Sequence, residues 1–97
     1  MNQAEQILDR IRPEMEVLRR RYRVRRLGLF GSWVRGEASA TSDVDLLVDL
    51  ERSSFDDYMD LKLHLEDLLG RPVDLVMQKS LKPLLRDRIL REVRDVA

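Results

Sequence analysis

Apolar residues in the first third of the chain follow a helical spacing and then an extended one. In residues 1–22 they recur at helical intervals, which predicts a helix, and Pro13 predicts a kink or a short break in it. Residues 24–30 predict a strand that ends in the turn signal Gly31-Ser32. A short helix is expected next, over residues 32–36. The order here is therefore helix, strand and a turn into a second helix.

The middle of the chain predicts a central strand followed by a long helix. Residues 43–50 begin with alternating charged and apolar positions and become nearly all apolar, as in a strand covered on both faces. Residues 55–69 place apolar side chains on one helical face. Ser54 suits the N-cap of that helix, and Gly70 stands where a left-handed residue would end it.

A short strand and a last helix are predicted for the C-terminal quarter. Residues 73–77 predict the strand, and Ser80 is expected to cap a helix with three apolar residues spaced four apart: Leu85, Ile89 and Val93. This alternation predicts an α/β domain with a sheet of at least three strands flanked by helices. Because 97 residues would make two very small cores if divided, we expect one domain over residues 1–97.

Composition narrows the expected location and partners. No apolar run approaches the roughly 20 residues of a membrane span. No cysteine is present and no secretory leader pattern begins the chain, so we expect a soluble cytoplasmic protein. The 18 basic and 18 acidic residues cancel, although residues 37–74 carry eleven acids and three bases between two basic segments. A net charge of zero argues against a general nucleic-acid binder.

Two aspartates open the central strand. Asp43 and Asp45 are two positions apart, so on a strand their carboxylates leave the same face and repel each other. A shared proton or a cation would relieve that repulsion, and Mg²⁺ prefers carboxylate oxygens together with phosphates and water. Asp74, on the next strand, offers a third carboxylate that we expect beside the pair. Three acids in the fold's interior can hold two metal ions, an arrangement suited to phosphoryl transfer.

The turn at Gly31-Ser32 supplies the other half of the predicted site. Gly31 permits a close approach of backbone to a ligand, and the Ser32 hydroxyl and the first amides of the following helix can donate hydrogen bonds to phosphate. The pattern predicts a triphosphate-binding cradle. Arg35, one turn later, either adds positive charge to this cradle or pairs with an acid such as Glu37.

These motifs together resemble the minimal nucleotidyltransferases of the DNA polymerase β-type superfamily. The family signature is Gly-Ser, ten residues and Asp-x-Asp, and Gly31-Ser32 and Asp43-Val44-Asp45 have that spacing. The resemblance extends over nearly the whole chain, including the sequence RPVDLV around Asp74. It implies the nucleotidyltransferase fold with a small mixed sheet, Mg²⁺-bound nucleoside triphosphate, and transfer of a nucleoside monophosphate with release of pyrophosphate.

The matched positions imply individual roles and a partner. By resemblance, Ser32 contacts phosphate, Asp43 and Asp45 bind metal, and Asp74 binds one metal and helps to deprotonate the acceptor hydroxyl. The resemblance also implies an antitoxin that uses ATP to add AMP to a tyrosine of a HEPN-type toxin. A chain of 97 residues leaves no room for an added acceptor-binding domain, so another molecule is expected to present the acceptor.

Two other functions stay open at the level of sequence. The protein could be a non-catalytic antitoxin that neutralises its partner by complex formation, with any nucleotide serving structure or regulation. It could also be a small-molecule modifier similar to the aminoglycoside nucleotidyltransferases, which is disfavoured because those enzymes carry an additional acceptor-binding domain. Replacing Asp43 and Asp45 by asparagine would distinguish a binding-only antitoxin from an enzyme, because binding alone does not need these carboxylates.

Overall fold

Four strands form one mixed sheet in the structure, a computed structural model that describes residues 2–52 and 54–97. The strands are β1 (Val24–Phe30), β2 (Val44–Leu50), β3 (Val73–Met77) and β4 (Arg94–Asp95). Their order across the sheet is β3-β2-β1-β4, with β2 parallel to β3 and antiparallel to β1, and with β4 antiparallel to β1. The mixed sheet implied by the family resemblance is therefore confirmed, and β4 adds a strand to the predicted three.

The N-terminal region forms two helices joined by a tight turn. Helix α1 spans Gln3–Ile11, a 3₁₀ turn spans Arg12–Glu14, and helix α2 spans Met15–Tyr22. Pro13 lies inside the turn, where its missing amide hydrogen and its ring interrupt α-helical hydrogen bonding. The predicted break is confirmed, while Met1, where we expected the helix to begin, lies outside the described residues.

Three further helices follow the first strand. They are α3 (Ser32–Arg35), α4 (Phe55–Leu69) and α5 (Pro83–Glu92). Helix α4 has the predicted boundaries: the hydroxyl of Ser54 accepts a hydrogen bond from the amide of Asp57, and Gly70 ends the helix in the left-handed conformation. Local boundary chemistry was therefore sufficient to define this helix.

The predicted start and end of the last helix were wrong. Ser80 belongs to a 3₁₀ turn over Gln78–Ser80, and α5 begins only at Pro83, whose fixed backbone angle suits the first helical position. At the other end, Val93 is already extended rather than helical, because the chain leaves α5 to pair with β1 as strand β4. Sheet pairing thus shortens the helix that the apolar spacing suggested.

The sheet has two different faces, which alternate residues of β2 define. One is the helix-packed face, where Val44, Leu46 and Val48 join the hydrophobic core with residues of α1, α2 and α4. The other is the acidic face, which carries Asp45, Leu47 and Asp49. Within the described residues, no helix is both long enough and apolar enough to cross a membrane.

Candidate active site

The three predicted metal-binding acids come from the adjacent ends of β2 and β3. Asp45 pairs in register with Asp74 across the two parallel strands, and Asp43 lies one residue before β2. Parallel strands begin at the same edge of a sheet, so the crossover through α4 brings the two segments side by side. The negative charges of Asp74 and Asp43 both act on the Asp45 carboxyl, which shows that the three acids form one electrostatic group.

The acids are less buried than their apolar surroundings in the sequence suggested. Asp43 and Asp74 are exposed, and Asp45 is half-buried. The expectation of three acids in the fold's interior is therefore wrong. The apolar neighbours of Asp45 project onto the helix-packed face, whereas Asp45 projects onto the acidic face, as successive residues of a strand must. Water consequently screens part of the repulsion among these carboxylates.

Asp45 nevertheless has a strongly perturbed ionisation. Burial raises the pKa of its carboxyl to about 6, and the charges of Asp74 and Asp43 act in the same direction. The nearby guanidinium of Arg35 opposes this rise, while Glu92 adds to it. Arg35 thus does not fully compensate the negative charge around Asp45. A bound cation would reduce this excess of negative charge.

The donor set fits Mg²⁺, although the side chains are not already gathered around one point. Carboxylate oxygens are the hard ligands that Mg²⁺ prefers. In the part of the chain that the structure describes, no three Asp, Glu, His or Cys side chains converge closely enough to hold a metal ion. The exposed side chains of Asp43 and Asp74 would therefore have to turn toward Asp45 to complete a site.

Gly31 lies directly against Asp45. Its backbone has φ +81° and ψ −153°, a region that only glycine adopts readily. A Cβ atom placed on Gly31 would overlap the Oδ2 atom of Asp45 and would lie 2.9 Å from its Cγ atom. The glycine of the predicted cradle is thus required for two reasons, its conformation and the close passage of an acidic side chain. Ser32 follows immediately, at the start of α3.

Arg35 forms an ion pair with an acid that the sequence did not suggest. Its Nη1 atom lies 3.0 Å from Oε1 and 3.2 Å from Oε2 of Glu92, the last residue of α5. The expected partner, Glu37, is farther away, with 3.6 Å between its Oε1 atom and Nε of Arg35. Arg35 was expected either to add charge to the cradle or to pair with an acid. In the structure it pairs with acids, and its main partner is Glu92.

Glu92 also reaches the turn itself, where it accepts a hydrogen bond of 2.5 Å from the amide of Gly31. Sequence reasoning missed this residue. It lies 61 positions from Gly31, and the predicted helix ran on through Val93, which made Glu92 look like an ordinary surface charge. No local signal in the chain could have identified this contact, because it depends on how α5 crosses the acidic face.

Two clefts border the group of acids. The smaller, of about 250 Å³, lies between α5 and the turn and is lined by Gly31, Arg35, Asp45 and Glu92 among others. The larger, of about 870 Å³, begins at Ser42, beside Asp43. Trp33 lines it with its ring buried, and the guanidinium of Arg71 lies 4.7 Å from the ring centre. Of the predicted site residues, Gly31, Arg35 and Asp45 therefore line the smaller cleft, whereas Ser32, Asp43 and Asp74 line neither cleft.

Comparison with known proteins identifies the family. The family model described as nucleotidyltransferase domain matches residues 10–96. The chain belongs to the nucleotidyltransferase domain family. The resemblance carried by the Gly-Ser and Asp-x-Asp motifs is thereby confirmed, as is the predicted enzyme class, nucleotidyltransferase.

Individual relatives of this nucleotidyltransferase agree with that assignment. The chain is 53% identical over 77 residues to the protein adenylyltransferase MntA of Thermococcus cleftensis, covering 78% of each protein. A solved structure of a provisionally assigned minimal nucleotidyltransferase has a TM-score of 0.80 and 41% identity, covering 97% of this chain and 95% of the other. These similarities confirm the nucleotidyltransferase fold.

A more distant solved structure shares the fold. It is the complex of a tri-AMPylated Shewanella oneidensis HEPN toxin with an MNT antitoxin, and it matches with a TM-score of 0.66 at 19% identity. The match covers 93% of this chain and 71% of that one. At this level of identity the likeness extends to the fold alone.

Proposed function

We propose that this nucleotidyltransferase transfers AMP from Mg²⁺-bound ATP to a hydroxyl group of a partner protein. The proposed acceptor is a tyrosine of a HEPN-type toxin, which makes the protein the antitoxin of a toxin-antitoxin pair in the cytoplasm. The observation that carries the proposal is the packing of Gly31 against Asp45, with Asp74 in register beside it. A turn able to bind polyphosphate thus touches a group of carboxylates suited to metal ions.

The relatives support the choice of acceptor. The Thermococcus cleftensis relative is named a protein adenylyltransferase, and its 53% identity spans most of both chains. The Shewanella oneidensis complex, by its description, holds an AMPylated HEPN toxin beside its MNT antitoxin. The present chain has the same fold, and it places a Gly-Ser turn beside the acids that the proposed reaction needs.

The proposed AMP transfer gives a role to several of the chain's own groups. The acceptor oxygen forms a bond to the α-phosphorus of ATP, the bond from that phosphorus to the oxygen bridging to the β-phosphate breaks, and pyrophosphate leaves. The amide of Gly31 and the hydroxyl of Ser32 hold phosphate oxygens. Asp74 is exposed beside Asp45, where it can receive the proton of the incoming hydroxyl.

Asp43, Asp45 and Asp74 are the residues that would hold Mg²⁺. When bound, the ions supply positive charge that neutralises the reacting phosphate oxygens. The protein's contribution is to keep the carboxylates on one edge of the sheet, close to the turn that grips the substrate. Two ions are proposed, as in the family that the motifs resemble.

The proposal is tested by transfer of label from α-labelled ATP. The protein is incubated with Mg²⁺ and a purified HEPN-type toxin of the same organism, and covalent label is followed on that toxin. We expect Asp43→Asn combined with Asp45→Asn to lower the rate by at least ~10³-fold, because losing charge neutralisation costs several kcal/mol of transition-state stabilisation. Asp49→Asn is the matched control, since Asp49 lies on the same face of β2 but farther along the strand.

A binding-only antitoxin gives a different result in cells. If the double variant protects cells from the toxin as well as the wild type does, catalysis is not the mechanism of protection. Absence of label with each of the four nucleoside triphosphates would contradict the enzymatic proposal directly. The Asp49→Asn control must retain both label transfer and protection for either result to be assigned to the site.

A further inference from the structure

The phosphate-binding turn of this structure already holds a carboxylate from its own chain. The amide of Gly31 donates to Oε1 of Glu92 at 2.5 Å, at the short end for a hydrogen bond to a charged acceptor. The guanidinium of Arg35 contacts both oxygens of the same carboxylate. The Glu92 side chain is only 22% exposed. Two donors that could bind an external anion are therefore directed at an internal one.

A carboxylate and a phosphate compete for such donors because both present charged oxygen acceptors. Backbone amides and guanidinium groups are the donors that proteins commonly use for phosphate. While Glu92 is in place, the Gly31 amide is fully used, since it has a single hydrogen to donate. A triphosphate can take this position only after the Glu92 carboxylate has moved away.

Helix α5, which carries Glu92, is loosely held over the acidic face. None of its residues, all within the described part of the chain, is fully buried. Leu84 is 89% exposed and Leu85 is 51% exposed. Few apolar contacts would be lost if the helix or its last side chain shifted, so displacement of Glu92 does not require the core to open.

We propose that Glu92 is an internal competitor of the nucleotide and sets its affinity. In the free protein its carboxylate occupies the Gly31 amide and neutralises Arg35, and the phosphate groups of the bound nucleotide displace it. The inference rests on the proposed function only in taking a nucleoside triphosphate as the ligand of this turn. It adds a residue that determines nucleotide affinity and lies outside the Gly-Ser and Asp-x-Asp motifs.

Calorimetric titration with Mg²⁺-ATP tests the inference. Glu92→Gln keeps the size of the side chain and removes its charge, and we expect it to bind the nucleotide about tenfold more tightly than the wild type. Asp87→Asn is the control, because it removes the same charge from an exposed position of the same helix. The control should bind with wild-type affinity, which separates the contact at Gly31 from a general change in net charge.

The outcomes distinguish this inference from the proposed function. Equal or weaker binding by Glu92→Gln, with a wild type that binds and transfers label, overturns the competitor role and leaves the proposed function intact. Weaker binding of that kind would indicate that Glu92 helps to hold the metal or the turn. If neither the wild type nor Glu92→Gln binds any nucleoside triphosphate, both proposals fail together.

A second measurement needs no variant and covers the case in which Glu92→Gln does not fold. In the ¹⁵N- and ¹³C-labelled wild type, inorganic tripolyphosphate with Mg²⁺ should shift the amide resonance of Gly31 and the side-chain carboxyl resonance of Glu92 over the same concentration range. A shift of Gly31 that leaves the Glu92 carboxyl unchanged overturns the proposal, because binding would then occur without displacement.

Discussion

The helix-packed face and the acidic face are made by alternate residues of the same strand, yet they differ in how they are covered. On the helix-packed face, Val44, Leu46 and Val48 are fully buried in the core that also contains residues of α1, α2 and α4. On the acidic face, Leu47 is buried, but Asp45 and Asp49 are only half-buried, and the neighbouring helix α5 contains no fully buried residue. A single strand therefore contributes to the stable core and to the candidate site at the same time.

Residues that stabilise the fold and residues of the candidate site are thus separated by one step along a strand. Apolar burial on the helix-packed face stabilises the fold by removing side chains from water. The acidic face instead gathers like charges, which oppose folding unless they are neutralised. The core can tolerate this cost because the two sets of side chains project in opposite directions.

The largest effect on stability is expected from the helix-packed face. Leu46→Ala removes a side chain with 0% exposure, and we expect the free energy of unfolding to fall by about 3 kcal/mol. Leu84→Ala, at an 89% exposed position, should change it by less than ~0.5 kcal/mol. Urea unfolding measures both values. Similar losses for the two variants would mean that α5 belongs to the stabilising core, and the contrast between the faces would not hold.

An intermediate effect is expected at the turn beside Asp45. Gly31→Ala introduces both backbone strain and the overlap with Asp45, so we expect a loss of about 2 kcal/mol together with loss of nucleotide transfer. Gly36→Ala is matched in having φ +74°, but a Cβ atom there would meet nothing within 4 Å. It should cost about 1 kcal/mol through strain alone and keep the activity. Full activity of Gly31→Ala would contradict the close contact between Gly31 and Asp45.

The smallest effect depends on pH and concerns the acidic face. The folded state holds a proton on Asp45 up to about pH 6, whereas an ordinary aspartate loses it near 3.8. Folding is therefore favoured less as pH rises through this interval, and at pH 7.5 the ionised Asp45 destabilises the metal-free protein. Asp45→Asn should raise the free energy of unfolding at pH 7.5 by about 1–2 kcal/mol, less than the full shift would give because solvent screens this half-buried group.

The same variant should lose most of its advantage as the pH falls toward 4, because the wild-type carboxyl is then protonated in the folded state and the pH approaches its ordinary pKa of 3.8 in the unfolded state. Thermal unfolding in the presence of a chelator, at pH 7.5 and near pH 4, checks this expectation. Adding millimolar Mg²⁺ at pH 7.5 should stabilise the wild type more than the variant, since a ligand that binds only the folded state shifts the unfolding equilibrium. An advantage of equal size at both pH values would contradict the pKa assigned to Asp45.

Most of the fold could be predicted because its boundaries depend on nearby residues. Ser54, Gly70 and Pro13 act through local hydrogen bonds and fixed backbone angles, and the elements they delimit lie where the sequence predicted. The C-terminal region could not be predicted in the same way. The end of α5 and the strand β4 depend on pairing with β1, which is distant in the sequence and leaves no mark in the local apolar spacing.

The proximity of several candidate residues was predictable from the sequence, whereas their exposure and their contacts were less so. The spacing of Gly31-Ser32 and Asp43-Val44-Asp45 identified the family, and the parallel pairing of β2 and β3 brings Asp74 beside Asp45. Exposure was misjudged because the acids were expected to share the burial of the apolar residues around them, whereas Asp43 and Asp74 are exposed and Asp45 is half-buried. The role of Arg35 and the contact of Glu92 depend on the path of α5, which only the assembled structure reveals.

Strand β4 makes the hydrogen bond between Gly31 and Glu92 independent of the protein concentration, because it holds Glu92 near Gly31 within one chain. It begins two residues after Glu92, and Val96 beyond it is buried and donates its amide to the carbonyl of Leu27 at 2.9 Å. Because the chain links Glu92 to this anchored strand, its carboxylate meets the Gly31 amide at an effective concentration on the order of millimolar, whatever the amount of protein. Under the proposed function, occupancy of the turn by nucleotide should therefore follow the concentration of free ATP rather than the concentration of the protein.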